Sequence, residues 1–310
     1  MKYLSWNVKH QGLEGRLDEI VGAVAEVSPD IVLLQEVAIP LIFRLTQRLK
    51  EAGLEHAVDS IDGAPPRPAE VRKKKQRKGY AVVTASRWPI KRAKDKWRST
   101  APYPEVMLRA FVEPHDGPAI DVFNVHIPNG AGNGWRKIAT LDVLYRALMR
   151  AKDKPRVLAG DFNEPREFRS SGQIVPFMVR YREGGGLTIS ERIKKDRFGT
   201  ERTRSEWSTS VLRILAGHVH HGLRDVYRTV HGLQQAPVTH KTTGGNPRCF
   251  DHGFVSRHFE VKACGYRHDW RKSRLSDHSA LWFELEPRSK LRALSAWSEG
   301  TEADLEDAGH

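Results

Sequence analysis

A series of short apolar runs that end in polar side chains constrains this chain more than any other feature. Short apolar runs bounded by turn signals are typical of strands buried in a sheet. Asn7, Glu36, His126, Asp161 and Asp251 stand at the ends of such runs. Side chains at strand ends meet at one edge of packed sheets, so a site can be gathered there from distant parts of the sequence. We therefore expect a functional site at one edge of the sheets.

Helical periodicity separates several of these strands. The apolar residues between Leu17 and Val27 recur at spacings of three and four residues, which predicts a helix that ends before Ser28-Pro29-Asp30. Further helices are predicted over 40–52 and 136–150, and 222–230 is predicted to be helical or the edge of a helix. The predicted strands are 3–8, 31–34, 80–85, 106–113, 119–126, 156–159, 250–256 and 279–285, and the pattern favours a meander for 80–85, 106–113 and 119–126.

Length and composition favour one large folded domain with three unusual segments. A chain of 310 residues with 39% hydrophobic residues is long enough for a well-filled core. We predict a single domain over 1–286 that contains a basic, proline-rich surface loop at 64–78 and a poorly patterned insertion at 167–208. The acidic segment 287–310 is predicted to be a disordered tail.

Targeting and redox signals are sparse. No run approaches the roughly 20 apolar residues of a membrane helix, and MKYLSWNVKH lacks the apolar stretch of a secretory signal. Cys249 and Cys264 are too few for a disulfide framework and do not have metal-site spacing. We expect a cytoplasmic protein, monomeric and without a membrane span.

Glu36 and Asn7 are candidate metal ligands. Glu36 follows four apolar residues and a glutamine, and a carboxylate at the mouth of a core is costly unless it is paired or bound to a cation. Mg²⁺ prefers carboxylate, amide and water oxygens. A salt bridge or a helix cap for the following segment remains the alternative for Glu36.

Asp161 and Asn163 follow a buried strand and Gly160. At an extended strand end, side chains two residues apart point the same way. Asp161 is therefore suited to orient or deprotonate a water, and Asn163 to hold a phosphoryl oxygen. Gly-Asp-Phe-Asn also has good turn chemistry, so a turn remains the alternative.

Two histidines have potential partners for work on a phosphate. His126 ends an apolar strand and is followed by Asn129 in a loop, and both can donate hydrogen bonds to a phosphate; a lone histidine is also common in structural roles. A carboxylate fixes the tautomer of a histidine and supports its protonated form. Asp251 and His278 are a candidate pair of this kind, and Asp277 offers another contact to metal or water.

Found together and in order, these motifs resemble the endonuclease/exonuclease/phosphatase superfamily. The similarity runs from residue 3 to about residue 286, and the ordered set is far more specific than any one motif. The matching stretches are LSWNVKH (4–10), IVLLQEV (31–37), GYAVVTASRWPI (79–90), NVHIPNG (124–130), LAGDFNEP (158–165), GLRDVYRTVHG (222–232), FDHGFVS (250–256) and LSDHSALWFEL (275–285).

The resemblance implies an α/β fold, a four-layer sandwich of two packed mixed β-sheets flanked by helices. It also implies dependence on Mg²⁺ or Mn²⁺, with Asn7 and Glu36 as metal ligands and Asp277 in the metal–water network. Asp161 would align or activate the attacking water.

For the phosphate, the resemblance implies contacts from Asn163 and from His278, the latter supported by Asp251. His126 is similar to the deoxyribonuclease and sphingomyelinase-like branches, whereas the Asn129 loop looks like the abasic-site endonucleases.

Charge outside these motifs bears on the substrate. Lysine and arginine number 51 against 38 acidic residues, a net charge of +13, which attracts polyanions. A nucleic-acid backbone is the predicted partner, because each phosphate contact adds salt-sensitive affinity. Trp88, Trp97 and Tyr103 are predicted to stack on bases or sugars. The predicted backbone contacts are Arg72, Lys73, Lys74, Lys75, Arg77 and Lys78.

The sequence therefore predicts a metal-dependent phosphodiesterase, a nuclease that cuts DNA or RNA by in-line attack of water. One alternative is a phosphatase or phosphodiesterase of phosphoinositides, sphingolipids or small phosphate esters. The other is a non-catalytic nucleic-acid-binding member of the family, against which the complete set of polar motifs argues. A charged loop that is merely solvated is the alternative for the basic segment.

Overall fold

A computed structural model describes residues 1–61, 79–94, 96–150, 153–182, 186–189, 194–195, 201–233, 237–242 and 244–288. The basic loop at 64–78, with the six residues predicted to contact nucleic acid, lies outside the described residues. So do residues 289–310 of the acidic segment.

The strands, numbered in chain order, are β1 (Lys2–Asn7), β2 (Ile31–Ala38), β3 (His56–Asp59), β4 (Tyr80–Ser86), β5 (Ile90–Arg92), β6 (Met107–Val112), β7 (Ile120–His126), β8 (Arg156–Asp161), β9 (Glu167–Phe168), β10 (Ile174–Val175), β11 (Arg180–Tyr181), β12 (Leu187–Thr188), β13 (Lys194–Lys195), β14 (Glu201–Arg202), β15 (Leu223–Asp225), β16 (His240–Lys241), β17 (Pro247–Arg248), β18 (Asp251–Ser256), β19 (Phe259–Arg267) and β20 (Ala280–Pro287).

The α-helices are α1 (Leu13–Val27), α2 (Ile42–Glu51), α3 (Gly130–Asn133), α4 (Trp135–Met149), α5 (Arg204–Leu215), α6 (Val226–His231) and α7 (His268–Lys272). Short 3-10 turns lie at Ile39–Leu41, Lys96–Thr100, Pro104–Val106 and Gly217–Val219. Within the described ranges, none of these helices has the length and apolar character needed to cross a membrane.

Two six-stranded mixed sheets form the centre of the fold, which confirms the predicted sandwich. The first sheet has the order β19-β20-β1-β2-β4-β3, and the second has the order β15-β18-β8-β7-β6-β5. In each sheet one central pair is parallel, β1 with β2 and β7 with β8. The other neighbours are antiparallel.

Burial on both faces of the central strands explains their continuous apolar sequences. In β1, Tyr3 packs between the sheets, whereas Leu4 and Trp6 pack against α1. On the second sheet, α4 and α5 cover the outer face. The result is four layers in the order helix, sheet, sheet, helix.

A buried amide pair ties the two sheets together. The Gln35 Nε2 of β2 donates to the Asn124 Oδ1 of β7 at 2.9 Å. The Asn124 Nδ2 in turn donates to the Val83 carbonyl at 2.9 Å and to the Leu34 carbonyl at 3.2 Å. Both amides are fully buried, where an unmade hydrogen bond costs about 1–3 kcal/mol. This network therefore favours one relative placement of the sheets.

Several expectations differ from the structure. The predicted meander is wrong, because β4 pairs with β2 and β3 in the first sheet while β6 and β7 pair in the second. Segment 222–230 begins as the strand β15 before α6. The strand β19 was not predicted, since only Phe259 and Cys264 of its nine residues are buried and it includes no apolar run.

The predicted insertion at 167–208 has more structure than expected. Its described parts form three two-stranded ribbons, β9 with β10, β11 with β12 and β13 with β14. Its end enters α5, which begins with the capping box of Thr203 and Glu206 and packs Trp207 into the core. Two predicted base-stacking residues are also core residues, because Trp97 is 8% exposed and Tyr103 is 1% exposed.

Gly160 allows β8 to run close beside β7. Its φ is +150°, and a Cβ atom at this position would lie 1.9 Å from the Val125 carbonyl oxygen. No rotation of a side chain relieves a clash with backbone, so only glycine fits directly before Asp161.

We predict that Gly160→Ala destabilises the protein by more than about 3 kcal/mol, because a strained backbone costs of order 1–3 kcal/mol before the clash is added. The free energy of unfolding in denaturant measures the effect. Gly22→Ala, in α1 with no atom within 4 Å of the new Cβ, is the control and should stabilise by roughly 0.5–1 kcal/mol. Equal effects of the two substitutions would contradict this account of Gly160.

Candidate active site

Strand register in the second sheet brings three predicted site residues together. In the parallel pair β7 and β8, His126 is the register partner of Asp161. In the antiparallel pair β18 and β8, Asp251 is also the partner of Asp161. The carboxylate of Asp161 therefore lies between a histidine on one side and a second aspartate on the other.

The first sheet contributes Asn7 and Glu36 to the same place. The Asn7 Nδ2 donates to the Asp161 Oδ2 at 3.0 Å and to the Glu36 Oε1 at 3.4 Å. Glu36 has a φ of +56°, and the β2–β4 register shifts between Leu34 and Val37. A bulge of this kind redirects a side chain at a strand end, which explains how Glu36 reaches the site.

Asn163 lies in an Asx-type turn closed by Asp161, which was the alternative interpretation of Gly-Asp-Phe-Asn, while its contact to a phosphoryl oxygen stays a prediction. Its φ is +50°, and its backbone N–H donates to the Asp161 Oδ1 at 2.8 Å. Its Nδ2 donates to the Ile127 carbonyl at 3.0 Å and lies 3.4 Å from the His126 Nε2. The turn thus aims the amide of Asn163 at the space beside His126.

His278 and Asp251 form the predicted pair. The His278 Nδ1 donates to the Asp251 Oδ2 at 2.9 Å, and its Nε2 is 3.7 Å from the Asp161 Oδ2. Burial alone lowers the pKa of His278, but the charges of Asp251 and Asp161 and the hydrogen bond to Asp251 raise that pKa to about 10. His278 is therefore a cation at neutral pH, suited to donate a hydrogen bond to an anion.

The other two carboxyl groups of the site differ in their electrostatics. Burial raises the pKa of Asp161, against the opposing charges of His278 and His126. Burial also acts to raise the pKa of Glu36, but the hydrogen bond from His10 and the charge of His126 outweigh it and hold that pKa below its usual range. Asp161 is thus the carboxylate with the stronger tendency to take a proton, and Glu36 remains an anion.

Two predicted residues lie further out. The Asp277 side chain is 44% exposed and its Oδ2 is 3.5 Å from the Lys9 Nζ, so it stands at the rim beside His278. Asn129 is exposed, and its Oδ1 accepts the Gly132 N–H at the start of α3. The structure therefore uses the oxygen of Asn129 as a helix cap, while the role of its amide in phosphate binding stays a prediction.

Three site residues were missed by the sequence reasoning. The His10 Nδ1 lies 2.6 Å from the Glu36 Oε2, and its position three residues after Asn7 in LSWNVKH was the available signal. Tyr80 packs between His10 and His126, with ring centres 4.7 and 5.3 Å away. The His240 ring stacks 4.4 Å from that of His278, and nothing in a loop rich in threonine and glycine indicated it.

The donor set fits a divalent cation. Asp161 and Asp251 are 1% and 2% exposed, and one ligand atom from each lies within 4.8 Å of the other and of one on His278. A second group of this kind is His240, Asp277 and His278. Carboxylate and amide oxygens suit Mg²⁺ and Mn²⁺. Glu36 adds a third carboxylate to this edge, so the buried negative charge favours a cation.

We predict that Asp251→Asn lowers the pKa of His278 in the metal-free protein. Because the folded-state pKa of about 10 exceeds the unfolded value of roughly 6.5, the stabilisation is complete below that value and is lost as pH rises through the folded pKa. The stability deficit of the variant should therefore shrink between pH 6 and pH 10. Histidine NMR titration and denaturant unfolding measure the two effects.

Asp277→Asn is the matched control, because the charge of Asp277 is the smallest of the named influences on His278. It should lower the pKa of His278 much less. An Asp251→Asn protein whose His278 titrates as in the original protein would contradict the pairing.

Comparison with known proteins identifies the family of the chain. Residues 4–278 match the endonuclease/exonuclease/phosphatase family, and no curated protein matches the chain significantly. The structure of an AP endonuclease from Archaeoglobus fulgidus is similar, with a TM-score of 0.62 and 18% identity over 92% of this chain and 99% of that chain.

Two further solved structures share the fold. The 3′ phosphatase NExo from Neisseria, bound to a product DNA hairpin, has a TM-score of 0.61 at 20% identity, over 92% of this chain and 99% of that one. Humanized TDP2 from D. rerio has a TM-score of 0.58 at 14% identity, over 92% and 98% of the two chains. Since the family match spans most of its length, the chain belongs to the endonuclease/exonuclease/phosphatase family of metal-dependent enzymes and is a hydrolase of phosphate esters.

Proposed function

We propose that the protein is a nuclease that hydrolyses phosphodiester bonds of DNA or RNA by in-line attack of water. The convergence of Asn7, Glu36, Asp161, Asn163 and His278 at the edge where the two sheets meet carries this proposal. Such a cluster offers a base, a cation and amide donors that converge on one place.

Asp161 is the base in this proposal. Its carboxylate is held by the Asn163 N–H and the Asn7 amide, and its raised pKa suits proton transfer from the attacking water. In-line attack requires the water and the leaving oxygen to lie on opposite sides of phosphorus, so a fixed carboxylate sets the direction of approach.

His278 and Asn163 bind the phosphoryl oxygens. The protonated His278 donates from Nε2 while Asp251 holds Nδ1, and the Asn163 amide donates from the opposite side of Asp161. Donors fixed before the reaction stabilise the charge that develops in the transition state without reorganisation. His126, next to Asn163, is placed to add a further hydrogen bond.

Glu36 and Asn7 are the proposed ligands of Mg²⁺ or Mn²⁺, with Asp277 contacting water bound nearby. When bound, the ion supplies positive charge that offsets the charge on the phosphoryl and leaving oxygens. The anionic state of Glu36 is maintained by His10 and His126, so Glu36 can bind a cation without first losing a proton.

Charge and the family relatives support nucleic acid as the substrate. The net charge is +13, and a basic surface concentrates a polyphosphate. The related NExo structure is bound to a product DNA hairpin, and one of TDP2 from D. rerio is bound to a single-strand DNA product.

We predict that Asp161→Asn and His278→Gln each lower kcat by about 100-fold or more, the typical contribution of a positioned proton-transfer or charge-stabilising group. Rates of oligonucleotide cleavage measure the loss, and circular dichroism checks that the fold remains. Asp18→Asn, which removes a carboxylate that is 61% exposed, is the control and should leave kcat unchanged. Cleavage near the original rate by either site variant would refute its assigned role.

We also predict that cleavage requires Mg²⁺ or Mn²⁺, stops in EDTA and returns when the ion is restored. The assay compares single-stranded, double-stranded and abasic DNA, RNA, a phosphomonoester and a phosphoinositide. Activity confined to the last two would overturn the nuclease proposal in favour of a phosphatase. Binding of nucleic acid without any hydrolysis would favour a non-catalytic role.

A further inference from the structure

A row of aromatic rings leads away from His278. The His240 ring stacks on that of His278 at 4.4 Å, and the Phe250 ring lies 5.5 Å from the His240 ring at an angle of 22°. The Phe177 ring follows, 6.2 Å from that of Phe250. Phe250 is buried, but Phe177 is 37% exposed, so the row ends on an aromatic surface open to solvent.

Phe177 is also fixed to the other half of the phosphate site. Its backbone N–H donates to the Glu164 Oε2 at 3.2 Å. The Lys137 Nζ lies 3.3 Å from the Glu164 Oε1, donates to the Asn163 carbonyl at 2.5 Å, and is 6.0 Å from the centre of the Phe177 ring. The ring is thus held between the Asn163 side and the His278 side of the site.

A cation accompanies this aromatic surface. The Arg248 guanidinium lies 5.6 Å from the centre of the Phe177 ring. Within the part of the chain that the structure describes, no carboxylate forms an ion pair with Arg248, and its buried Nε has no hydrogen-bond partner. An aromatic ring beside an arginine without an acidic partner is a combination that recognises nucleic-acid strands.

His240 is held firmly at the start of the row. Its backbone forms a bridge with that of His278, and its Nδ1 lies 3.2 Å from the Asp277 carbonyl. The preceding Thr239 accepts the Ser279 N–H at 2.8 Å, and its hydroxyl oxygen accepts the Phe250 N–H at 2.9 Å. The row is therefore built into the strands that carry the site.

We propose that Phe177 and Arg248, at the exposed end of the row that begins at His240, form a nucleoside shelf, which binds the base and sugar on one side of the scissile phosphate. This inference rests on the proposed nuclease function and specifies its substrate as a nucleotide strand. Every base presents a π-face, so the shelf accepts any sequence. A small aliphatic phosphate ester has no ring to place there and gains nothing from it.

Arg248 binds the next phosphate of the strand. The Arg248 guanidinium supplies the positive charge of the shelf. The phosphate that it contacts is the one that follows the bound nucleoside along the strand. Loss of one phosphate contact to a single strand lowers the salt dependence of log affinity by a slope of roughly 0.7. A residue with a purely structural role would not change this slope.

The test uses short DNA strands in which every linkage but one is a phosphorothioate, so that one bond is cut. The strands have a base on both sides of that bond, or an abasic tetrahydrofuran residue on one side or the other. We expect Phe177→Ala to raise KM by about 10-fold, the size of one base–aromatic stacking contact, for the intact strand. For the strand that lacks the base on the shelf side, KM should not change.

Three variants complete the design. Phe177→Trp should restore the KM of the intact strand, and Phe43→Ala, which removes a phenylalanine that is 75% exposed on α2, should not change it. Arg248→Gln should raise KM and reduce its dependence on salt concentration. A Phe177→Ala effect of equal size on all three strands, or no effect on any, would overturn the shelf.

The outcomes separate the two proposals. If the original protein cuts none of these strands, and none of the double-stranded DNA or RNA of the metal-dependence assay, in Mg²⁺ or Mn²⁺, the nuclease function fails. If it cuts them all and Phe177→Ala cuts them with unchanged KM, the nuclease function stands and the shelf alone is wrong.

Discussion

The buried amide pair of Gln35 and Asn124 is the interaction on which the site depends. Both side chains are fully buried between the sheets, and their hydrogen bonds extend to backbone carbonyls of β2 and β4. Hydrophobic contacts between two sheets are non-directional, whereas the hydrogen bonds donated by these amides require one placement. That placement sets the 3.0 Å distance between Asn7 of the first sheet and Asp161 of the second.

The site that results has a high density of buried charge. Asp161 and Asp251 are almost fully buried, which is costly unless each has a partner. His278 contacts both, and its raised pKa keeps it cationic. The positive charge of His278 stabilises the two buried aspartates. The same charge suits His278 to bind a phosphoryl oxygen. Electrostatic stability and the proposed catalysis therefore rest on the same contacts.

Local patterns predicted most of the central strands and three of the helices. They placed strands near 31–34, 80–85, 119–126 and 156–159, because residues buried on both faces form apolar runs that are visible in one dimension. They missed β19, most of whose residues are partly exposed and form no apolar run. They also assigned β4 to the wrong neighbours, since strand pairing is a choice among partners far apart in the sequence.

Among the functional residues, the sequence determined which polar side chains stand at strand ends, and the ordered motifs identified the family. Register and sheet packing decided which of them touch: Asp161 lies between His126 and Asp251 because of strand pairing, and His240 reaches His278 through a bridge between distant segments. The burial of Trp97 and the exposure of Phe177 were likewise decided only in three dimensions. The sequence pattern around an aromatic residue can be the same whether the residue is buried or exposed. Only its neighbours in the folded protein decide between the two.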